Sequence, residues 1–422
     1  MFWYIAVTCI VLVVAYLFLV LFQPSLKYRI ANPPSAGIDS KEFLRVLEAL
    51  TDAKVRTSTS IDVLPNGEDF YPAELEAIKN ARNTINLEAY IFKRGRLTDQ
   101  VVPALVERAR AGVKVNVLLD AVGSMALDKS TFRDLIAAGG KMNWYHPLRW
   151  YSWDRFNNRT HRELLIVDGE TAFVGGAGFA DYWMYPHGHE QRWRDTMFRI
   201  RGAAVTGLQG TFIENWLQSE NELLEGEAYF PLVKAEGQGS VLVVNSEPSV
   251  GGSTRARILV QTLLAAATKS IIITTPYFLP DRSLRNELVR AIKERGVQVS
   301  ILVPGTHSDH ALTRSSSRRL FGDLLEAGAS IYEYNPAMIH AKVLVVDGIW
   351  SVFGSTNFDS RSFGLNDEVN VAVQDAALAG ELTQQFKNDL QQSTLVKYEH
   401  WKHRGLLEKG EEYLGMLIQR QE

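Results

Sequence analysis

The sequence predicts an α/β protein built from two similar lobes, each a mixed β-sheet flanked by helices. Segments with helical and strand patterns alternate along the chain, which is typical of β-α-β units. The same order of segments then occurs a second time, as in the pairs NARNTINLEAYIF and AATKSIIITTPYF, or ERARAGVKVNVLLD and KERGVQVSILVPG. A duplication of this kind predicts two lobes related by an approximate two-fold axis.

An apolar segment precedes the lobes. Residues Phe2 to Phe22 contain no charged side chain and are long enough to cross a bilayer as a helix. No Lys or Arg stands before them and no small-residue cleavage pattern ends them, which favours a retained anchor over a signal peptide. Lys27 and Arg29 follow, and the positive-inside tendency then favours a cytoplasmic body. We therefore predict a transmembrane anchor at 1–23, followed by a linker and helix at 24–60.

The first lobe is predicted at 61–225, with helices and strands in alternation before a histidine motif. Its predicted segments are a helix from Pro72, a strand at Ile85–Phe92, a helix in VVPALVERARAG, a strand at Val113–Leu119, a helix at Thr131–Ala138 and a strand at Lys141–Tyr145.

The second lobe, predicted at 240–396, follows a linker at Glu225–Gly239. Its predicted segments are a helix at Arg257–Ala267, a strand at Ser270–Thr275, a helix at Ser283–Arg295, a strand at Val297–Val303, a helix at Ser315–Ala327 and a strand at Ser330–Tyr334. The tail at 397–422 mixes aromatic, aliphatic and basic residues. That composition fits a helix at a lipid interface, and equally a terminal helix packed on the body.

The chemistry of the chain is concentrated in the spacing H-x-K-x4-D formed by His340, Lys342 and Asp347. On an extended strand, His340 and Lys342 project from the same face, and a neutral imidazole beside an ammonium suits phosphate chemistry. Asp347 and Gly348 form a hairpin-type turn into a second strand, Trp350–Phe353.

A near copy lies upstream, where His161 and Asp168 have the same spacing and the same following Asp-Gly turn. Two-fold symmetry would bring the two histidines face to face. One imidazole can then attack phosphorus while the other protonates the leaving oxygen and later deprotonates the incoming alcohol or water. Such a pair needs no metal or other cofactor. His187, His189 and Glu190 are spaced as a metal-binding cluster could be, but we interpret them as loop residues.

Charge and cysteine content narrow the classes of ligand and binding partner that the sequence favours. The formal net charge of -3 disfavours nucleic acid, because binding to phosphate backbones normally needs a surplus of Lys and Arg. The single cysteine, Cys9, lies in the apolar segment, so the sequence contains neither a disulfide framework nor a thiolate metal site.

With these motifs in place, the sequence resembles the phospholipase D superfamily and, within it, the bacterial cardiolipin synthases. The resemblance runs from about Ile61 to the C-terminus and is carried by WRDTMFRIRG, TTPYFLPD, HAKVLVVDG, GSTNFDSRSF and LNDEVN. It implies two phospholipase D-like lobes and a phosphatidyltransferase of the bacterial inner membrane. It also implies phosphatidylglycerol as substrate, with phosphatidylethanolamine as an alternative partner, and release of glycerol.

The resemblance also assigns roles. It matches His340, Lys342, Asn357 and Asp347 to the second motif, with Asp347 as a structural carboxylate, and it places Glu368 and Asp195 where carboxylates orient the histidines. The first motif keeps His161 and Asp168 but has Glu163 in place of lysine and Gly178 in place of asparagine. Five side chains are candidates for holding the substrate, four of them arginines able to offset the Glu163 charge: Arg159, Arg162, Arg192, Arg194 and Ser355.

The substitution suggests a division of labour. Glu163 would raise the pKa of His161 and make it the acid, while Lys342 would keep His340 neutral and make it the nucleophile. Two alternatives remain open: a phospholipase D-type hydrolase acting on lipid or nucleic acid, and a catalytically degenerate lipid-binding scaffold, which Glu163 and Gly178 would support.

Overall fold

The structure is a computed structural model. It describes residues 2–21, 28–147, 157–186, 191–232, 236–237, 239–249, 253–309, 311–405 and 408. The residues His187, His189 and Glu190, and most of the predicted tail at 397–422, lie outside the described residues.

The N-terminal segment consists of α1 (Phe2–Leu21), α2 (Lys41–Thr51) and β1 (Val55–Arg56). Ser40 caps α2 by accepting a hydrogen bond from the Phe43 amide, 3.1 Å away. No helix in the described ranges is both long and apolar enough to cross a membrane. This segment belongs with the second half of the chain, because β1 pairs with a strand there and the Trp350 indole donates to the Ile38 carbonyl, at 2.7 Å.

The first lobe is a mixed sheet with helices. Its elements are β2 (Thr59–Pro65), α3 (Gly67–Asn80), β3 (Thr84–Ala89), α4 (Thr98–Arg110), β4 (Lys114–Asp120), α5 (Arg133–Ala137), β5 (Lys141–Tyr145), β6 (Leu164–Val167), β7 (Thr171–Gly175), α6 (Asp181–Met184), β8 (Thr196–Gly202) and α7 (Val205–Glu220). The strand order is β2-β8-β7-β6-β3-β4-β5, in which β3, β4 and β5 are parallel and the other pairs antiparallel.

The second lobe repeats this plan. Its elements are β9 (Ser240–Ser246), α8 (Arg255–Ala266), β10 (Ser270–Thr274), β11 (Phe278–Leu279), α9 (Arg282–Arg295), β12 (Gln298–Pro304), α10 (Ala311–Arg319), α11 (Gly322–Ala327), β13 (Ser330–Tyr334), β14 (Val343–Val346), β15 (Trp350–Gly354), β16 (Phe358–Asp359), β17 (Glu368–Gln374), α12 (Ala376–Leu390), β18 (Ser393–Leu395) and α13 (Tyr398–Lys402).

The large sheet of the second lobe has the order β1-β9-β17-β15-β14-β10-β12-β13-β18. Without its two edge strands, this order corresponds strand for strand to the first lobe. The mixed α/β architecture in two matching lobes is therefore confirmed. Three local predictions need correction: α3 begins at Gly67, the predicted helix at 315–327 is divided into α10 and α11, and β14 begins one residue after Lys342.

Each lobe has an aspartate at its central hairpin turn. Asp168 and Asp347 have positive φ angles of 54° and 56°, and each is followed by a glycine with positive φ, as a tight two-residue turn requires. Asp347 accepts hydrogen bonds of 2.7 to 2.9 Å from the amides of Thr268, Lys269 and Ser270. Asp168 accepts equivalent bonds from the amides of Arg82, Asn83 and Thr84. Each carboxylate thus holds the start of the adjacent strand, β3 in the first lobe and β10 in the second.

The two lobes meet through a shared apolar core. Phe198 of β8 stacks on Phe353 of β15 with ring centroids 3.6 Å apart and an interplanar angle of 13°. Around this pair, buried residues from both sheets form one cluster, including Val174 and Val371. Because this apolar surface is removed from water only when the lobes are together, it fixes the relative placement of the two histidine motifs.

We predict that Asp347→Ala destabilises the protein by about 2–4 kcal/mol, because it leaves three strand-start amides without their acceptor. Urea unfolding monitored by tryptophan fluorescence measures the effect. The matched control is Asp99→Ala at an exposed position of α4, which should unfold at nearly the wild-type midpoint. Equal midpoints for the two variants would contradict a structural role for the turn carboxylate.

Candidate active site

A pocket of about 380 Å³ lies where the two lobes meet, and both motif histidines line it. The lining residues come from both halves of the chain: Tyr90, Ile91, Arg159, His161, Tyr277, Asp309, Thr313, His340, Asn357, Asp359, Arg361, Ser362 and Asn366. His161 and His340 thus lie at one site, as the two-fold repeat in the sequence predicts.

Main-chain hydrogen bonds between the lobes position each histidine. In each lobe, the histidine amide and a carbonyl just before the histidine form two hydrogen bonds with a short segment of the other lobe. The four bonds are His161 N to Asp367 O at 2.9 Å, Asp367 N to Arg159 O at 2.9 Å, His340 N to Arg194 O at 2.7 Å, and Arg194 N to Met338 O at 2.8 Å. Each histidine is therefore fixed by the lobe to which it does not belong.

The side-chain partners also cross the interface. The His161 Nδ1 lies 3.1 Å from Glu368 Oε1, and Glu368 is fully buried. The Ser355 hydroxyl donates to Glu368 Oε2, and the Asn366 amide lies 3.4 Å from Oε1. Burial alone would raise the pKa of Glu368, but His161 and the hydrogen bonds outweigh it and hold that pKa below its usual value. Ser355 thus supports the carboxylate behind His161.

His340 has the reciprocal arrangement. Its Nδ1 lies 3.0 Å from Asp195 Oδ2, which also accepts a hydrogen bond from the Trp183 indole at 3.1 Å. The rings of Trp183 and Trp193 lie 5.5 and 5.6 Å from the imidazole. Burial and the Lys342 charge lower the pKa of His340, which Asp195 only partly opposes. His340 is therefore neutral at neutral pH, with its Nδ1 directed to Asp195.

Lys342 and Asn357 are the buried polar side chains of the second motif near His340. The Lys342 Nζ lies within 3.1 Å of both His340 ring nitrogens and donates to the His340 carbonyl at 2.9 Å. Burial lowers the pKa of Lys342 to about 8 against the opposing effect of nearby carboxylates, of which Asp195 is the largest. Asn357 is buried, lines the pocket, and its Oδ1 has no hydrogen-bond partner among the described residues.

Of the four candidate arginines, only Arg159 lines the pocket. Each of the others is paired with a carboxylate elsewhere: Arg162 with Glu214 at 2.9 Å, Arg192 with Glu68 at 2.5 Å, and Arg194 with Asp389 at 3.0 Å. Asp168 and Asp347 also stand apart from the pocket, at the hairpin turns. The structure thus gathers both histidines, Asn357 and Arg159 at the pocket, with Asp195, Glu368 and Ser355 directly behind.

Glu163 has a different environment from the one its spacing suggests. Its Oε1 accepts hydrogen bonds from the amides of Tyr90 and Ile91, at 3.2 and 3.1 Å, and the carboxylate that contacts His161 is Glu368. Burial raises the pKa of Glu163 well above its usual value, although these amides and Lys342 partly oppose the shift. This shift favours the uncharged carboxyl group over the carboxylate.

Sequence reasoning missed part of the pocket wall. The Tyr90 ring lies edge-on to His161 at 5.3 Å, and the Tyr277 hydroxyl donates to Asp309 at 2.6 Å. Burial and the neighbouring Glu368 raise the pKa of Asp359 to about 6, while Ser362, His161 and Arg361 lower it. Their position in the sequence could have identified Tyr90 and Tyr277. Both follow the carboxyl ends of parallel strands, where sites in such sheets form.

Within the described ranges, no group of three or more His, Cys, Asp or Glu side chains is placed to hold a metal ion. What the site contains instead is a neutral imidazole, a second imidazole facing the same pocket, and a lysine and an asparagine near the first. This arrangement suits nucleophilic attack by one histidine and proton transfer by the other, with the phosphoryl oxygens held by charge-assisted hydrogen bonds.

Known proteins resemble this chain over most of its length. A family model described as "Cardiolipin synthase, PLD-like domain" matches residues 75–190 and 260–390. The chain is 35% identical over 386 residues to the major cardiolipin synthase ClsA of Bacillus subtilis (strain 168), covering 91% of this chain and 80% of that protein. It is 34% identical over 367 residues to a cardiolipin synthase of Geobacillus kaustophilus (strain HTA426), covering 86% and 72%.

Among solved structures, the phosphatidylserine synthase of Haemophilus influenzae Rd KW20 superposes with a TM-score of 0.67 at 17% identity, covering 90% of this chain and 96% of that one. At this identity the likeness concerns the fold alone. It extends over both lobes.

We predict that Asp195→Asn lowers kcat/KM by about 100-fold, because the neutral amide no longer orients His340. The carboxylate raises the pKa of His340, so its removal should also move the acidic limb of the pH profile to lower pH. The measurement is kcat/KM against pH, with the exposed Asp99→Asn as control. A limb that moves to higher pH would contradict the assignment of Asp195 to His340.

Proposed function

The chain belongs to the family of cardiolipin synthases with phospholipase D-like domains, and from this premise we propose how its pocket joins two phospholipids. The protein is a phosphatidyltransferase of the phospholipase D superfamily that acts on phospholipids. The observation that carries the proposal is the lining of one pocket by His161 and His340, each held at Nδ1 by a carboxylate of the other lobe.

In the first step, the Nε2 of His340 attacks the phosphorus of one phosphatidylglycerol. The bond from phosphorus to the glycerol oxygen breaks, and His161 gives its proton to that oxygen, so that glycerol leaves. Lys342 and Asn357 hold the phosphoryl oxygens, because an ammonium and an amide both donate to them.

In the second step, His161 takes the proton from a hydroxyl of a second lipid. That oxygen attacks the phosphorus, the bond from phosphorus to nitrogen breaks, and His340 is restored as a neutral imidazole. With a second phosphatidylglycerol as acceptor, the product is cardiolipin. The reaction needs no cofactor in this scheme, since both proton transfers and the covalent intermediate use side chains of the chain itself.

The assignment of His340 as nucleophile rests on its environment. A buried imidazole whose pKa is lowered by burial and by Lys342 is unprotonated and available for attack. His161 is more exposed, with 13% of its side chain accessible against 5% for His340, so it can exchange a proton with the incoming alcohol.

We predict that purified full-length enzyme converts labelled phosphatidylglycerol to cardiolipin and that His340→Ala abolishes this product. Rapid denaturation during turnover should trap the phosphatidyl group on the peptide that contains His340, as mass spectrometry would detect. Label on His161 would reverse the two roles. Phosphatidic acid as the sole product would indicate a hydrolase, and no product from wild-type enzyme would indicate a lipid-binding scaffold.

The membrane anchor is also part of this proposal, and its support is the uncharged sequence from Phe2 to Phe22. In α1, large apolar side chains such as Trp3 and Leu12 are 75% and 63% exposed. A single-pass anchor in the bacterial cell membrane, with the lobes on the cytoplasmic side, would hold the pocket close to its lipid substrates.

We predict that full-length protein stays with bacterial membranes after an alkaline wash, whereas a chain lacking residues 2–29 is released. Fractionation followed by immunoblotting measures this. Retention of the shortened chain to the same extent would show that residues outside the N-terminal segment hold the protein at the membrane.

A further inference from the structure

Glu163 and Lys342 occupy equivalent positions in the two lobes. Each follows its histidine by two residues and immediately precedes the first strand of the central hairpin, β6 or β14. The strand registers agree, since Leu164 pairs with Glu88 as Val343 pairs with Thr274. One lobe therefore has a carboxyl group at the place where the other has an ammonium.

The hydrogen bonds of Glu163 indicate a structural role for a carboxyl group at this position of the first lobe. The side chain is 4% exposed, and its Oε1 accepts from the amides of Tyr90 and Ile91. By register, these two residues correspond to Pro276 and Tyr277 in the second lobe. Proline has no amide hydrogen and lysine cannot accept a hydrogen bond, so the second lobe neither offers nor needs the same contact.

Gly178 is the second position at which the first motif differs from the second, and it lies beside the same Glu163–Ile91 contact. A Cβ at this position would lie 2.3 Å from the Ile91 carbonyl oxygen and 2.8 Å from Glu163 Oε1. The Ile91 oxygen is itself fixed by the Phe179 amide at 2.8 Å. An asparagine like Asn357 therefore cannot occupy position 178 while the main chain at Ile91 stays where it is.

Tyr90 and Ile91 both line the pocket, and the Tyr90 ring is the edge-on neighbour of His161. We propose that Glu163 is a positioning residue, whose carboxyl group fixes the Tyr90–Ile91 wall beside His161, and that the first lobe thereby leaves the holding of phosphate to Lys342 and Asn357. This inference rests on the proposed function and deepens it, since it makes the two halves of the pocket unequal in their roles.

The test compares Glu163→Gln, Glu163→Ala and Glu163→Lys in full-length enzyme assayed on vesicles containing phosphatidylglycerol. Glutamine keeps an oxygen that can accept from both amides, so its kcat should stay within about threefold of wild type. Alanine and lysine remove the acceptor, so their kcat should fall by about 10- to 100-fold, an effect typical of lost supporting hydrogen bonds. Glu170→Lys, at an exposed site between β6 and β7, is the control for the change of charge.

A split between kcat and KM separates this role from phosphate binding. Glu163→Ala and Glu163→Lys should lose kcat with KM changed less than threefold, whereas Lys342→Ala should raise KM. Gly178→Ala should reproduce the kcat loss of Glu163→Ala, because its Cβ displaces the Ile91 carbonyl. The proposal is overturned if glutamine is as damaging as alanine, or if alanine or lysine at position 163 keeps wild-type kcat.

Hydrogen exchange provides a readout that needs no substrate. In Glu163→Ala, the amides of Tyr90 and Ile91 should exchange at least tenfold faster than in wild type, while Glu163→Gln should retain their protection. Unchanged exchange in Glu163→Ala would overturn the positioning role. If the wild-type enzyme made no cardiolipin, the proposed function would fail, and this measurement would still decide whether Glu163 fixes the wall.

Discussion

The exchange of contacts between the lobes at the two histidines is the constraint on which the site depends. His161 is bonded to Glu368 and His340 to Asp195, so each imidazole of one lobe is oriented by a carboxylate of the other. Both carboxylates are fully buried, and a buried charge is tolerated only with partners to satisfy it. Separated lobes would lose these partners, and neither half alone has a complete site. The duplication in the sequence is therefore functional as well as architectural.

Much of this plan could be predicted from sequence, because it rests on local spacing. The repeated order of helices and strands, and the Asp-Gly turns at Asp168 and Asp347, depend on neighbours in the chain and emerged as expected. Contacts between distant segments were harder to predict from the sequence. The pairing of β1 with the second lobe, the burial of Arg162 against Glu214, and the placement of Tyr90 beside His161 all depend on tertiary packing. A charged residue next to a motif histidine carries no local sign of whether it faces the pocket.

The two histidines have unequal surroundings although their main-chain contacts match. Trp183 and Trp193 enclose His340, which excludes water and favours the neutral ring. Near His161 the wall contains the polar Asn366 instead, and that imidazole is more exposed. A desolvated nucleophile and a more accessible proton carrier are what a two-step displacement requires, so the difference in packing supports a difference in role.

Charge balance also favours an active site in spite of Glu163. An ionised carboxylate near the phosphate would oppose binding, and Lys342 already lies within the influence of Asp195 and Glu368. Burial, however, raises the pKa of Glu163 well above its usual value, which favours the uncharged form of the group. A neutral carboxyl can accept the two wall amides through Oε1 and carry its proton on Oε2. In that uncharged form, glutamate in place of lysine in the first lobe removes one positive charge from the surroundings of the pocket without adding a negative one, while Lys342 lies beside His340 in the second lobe.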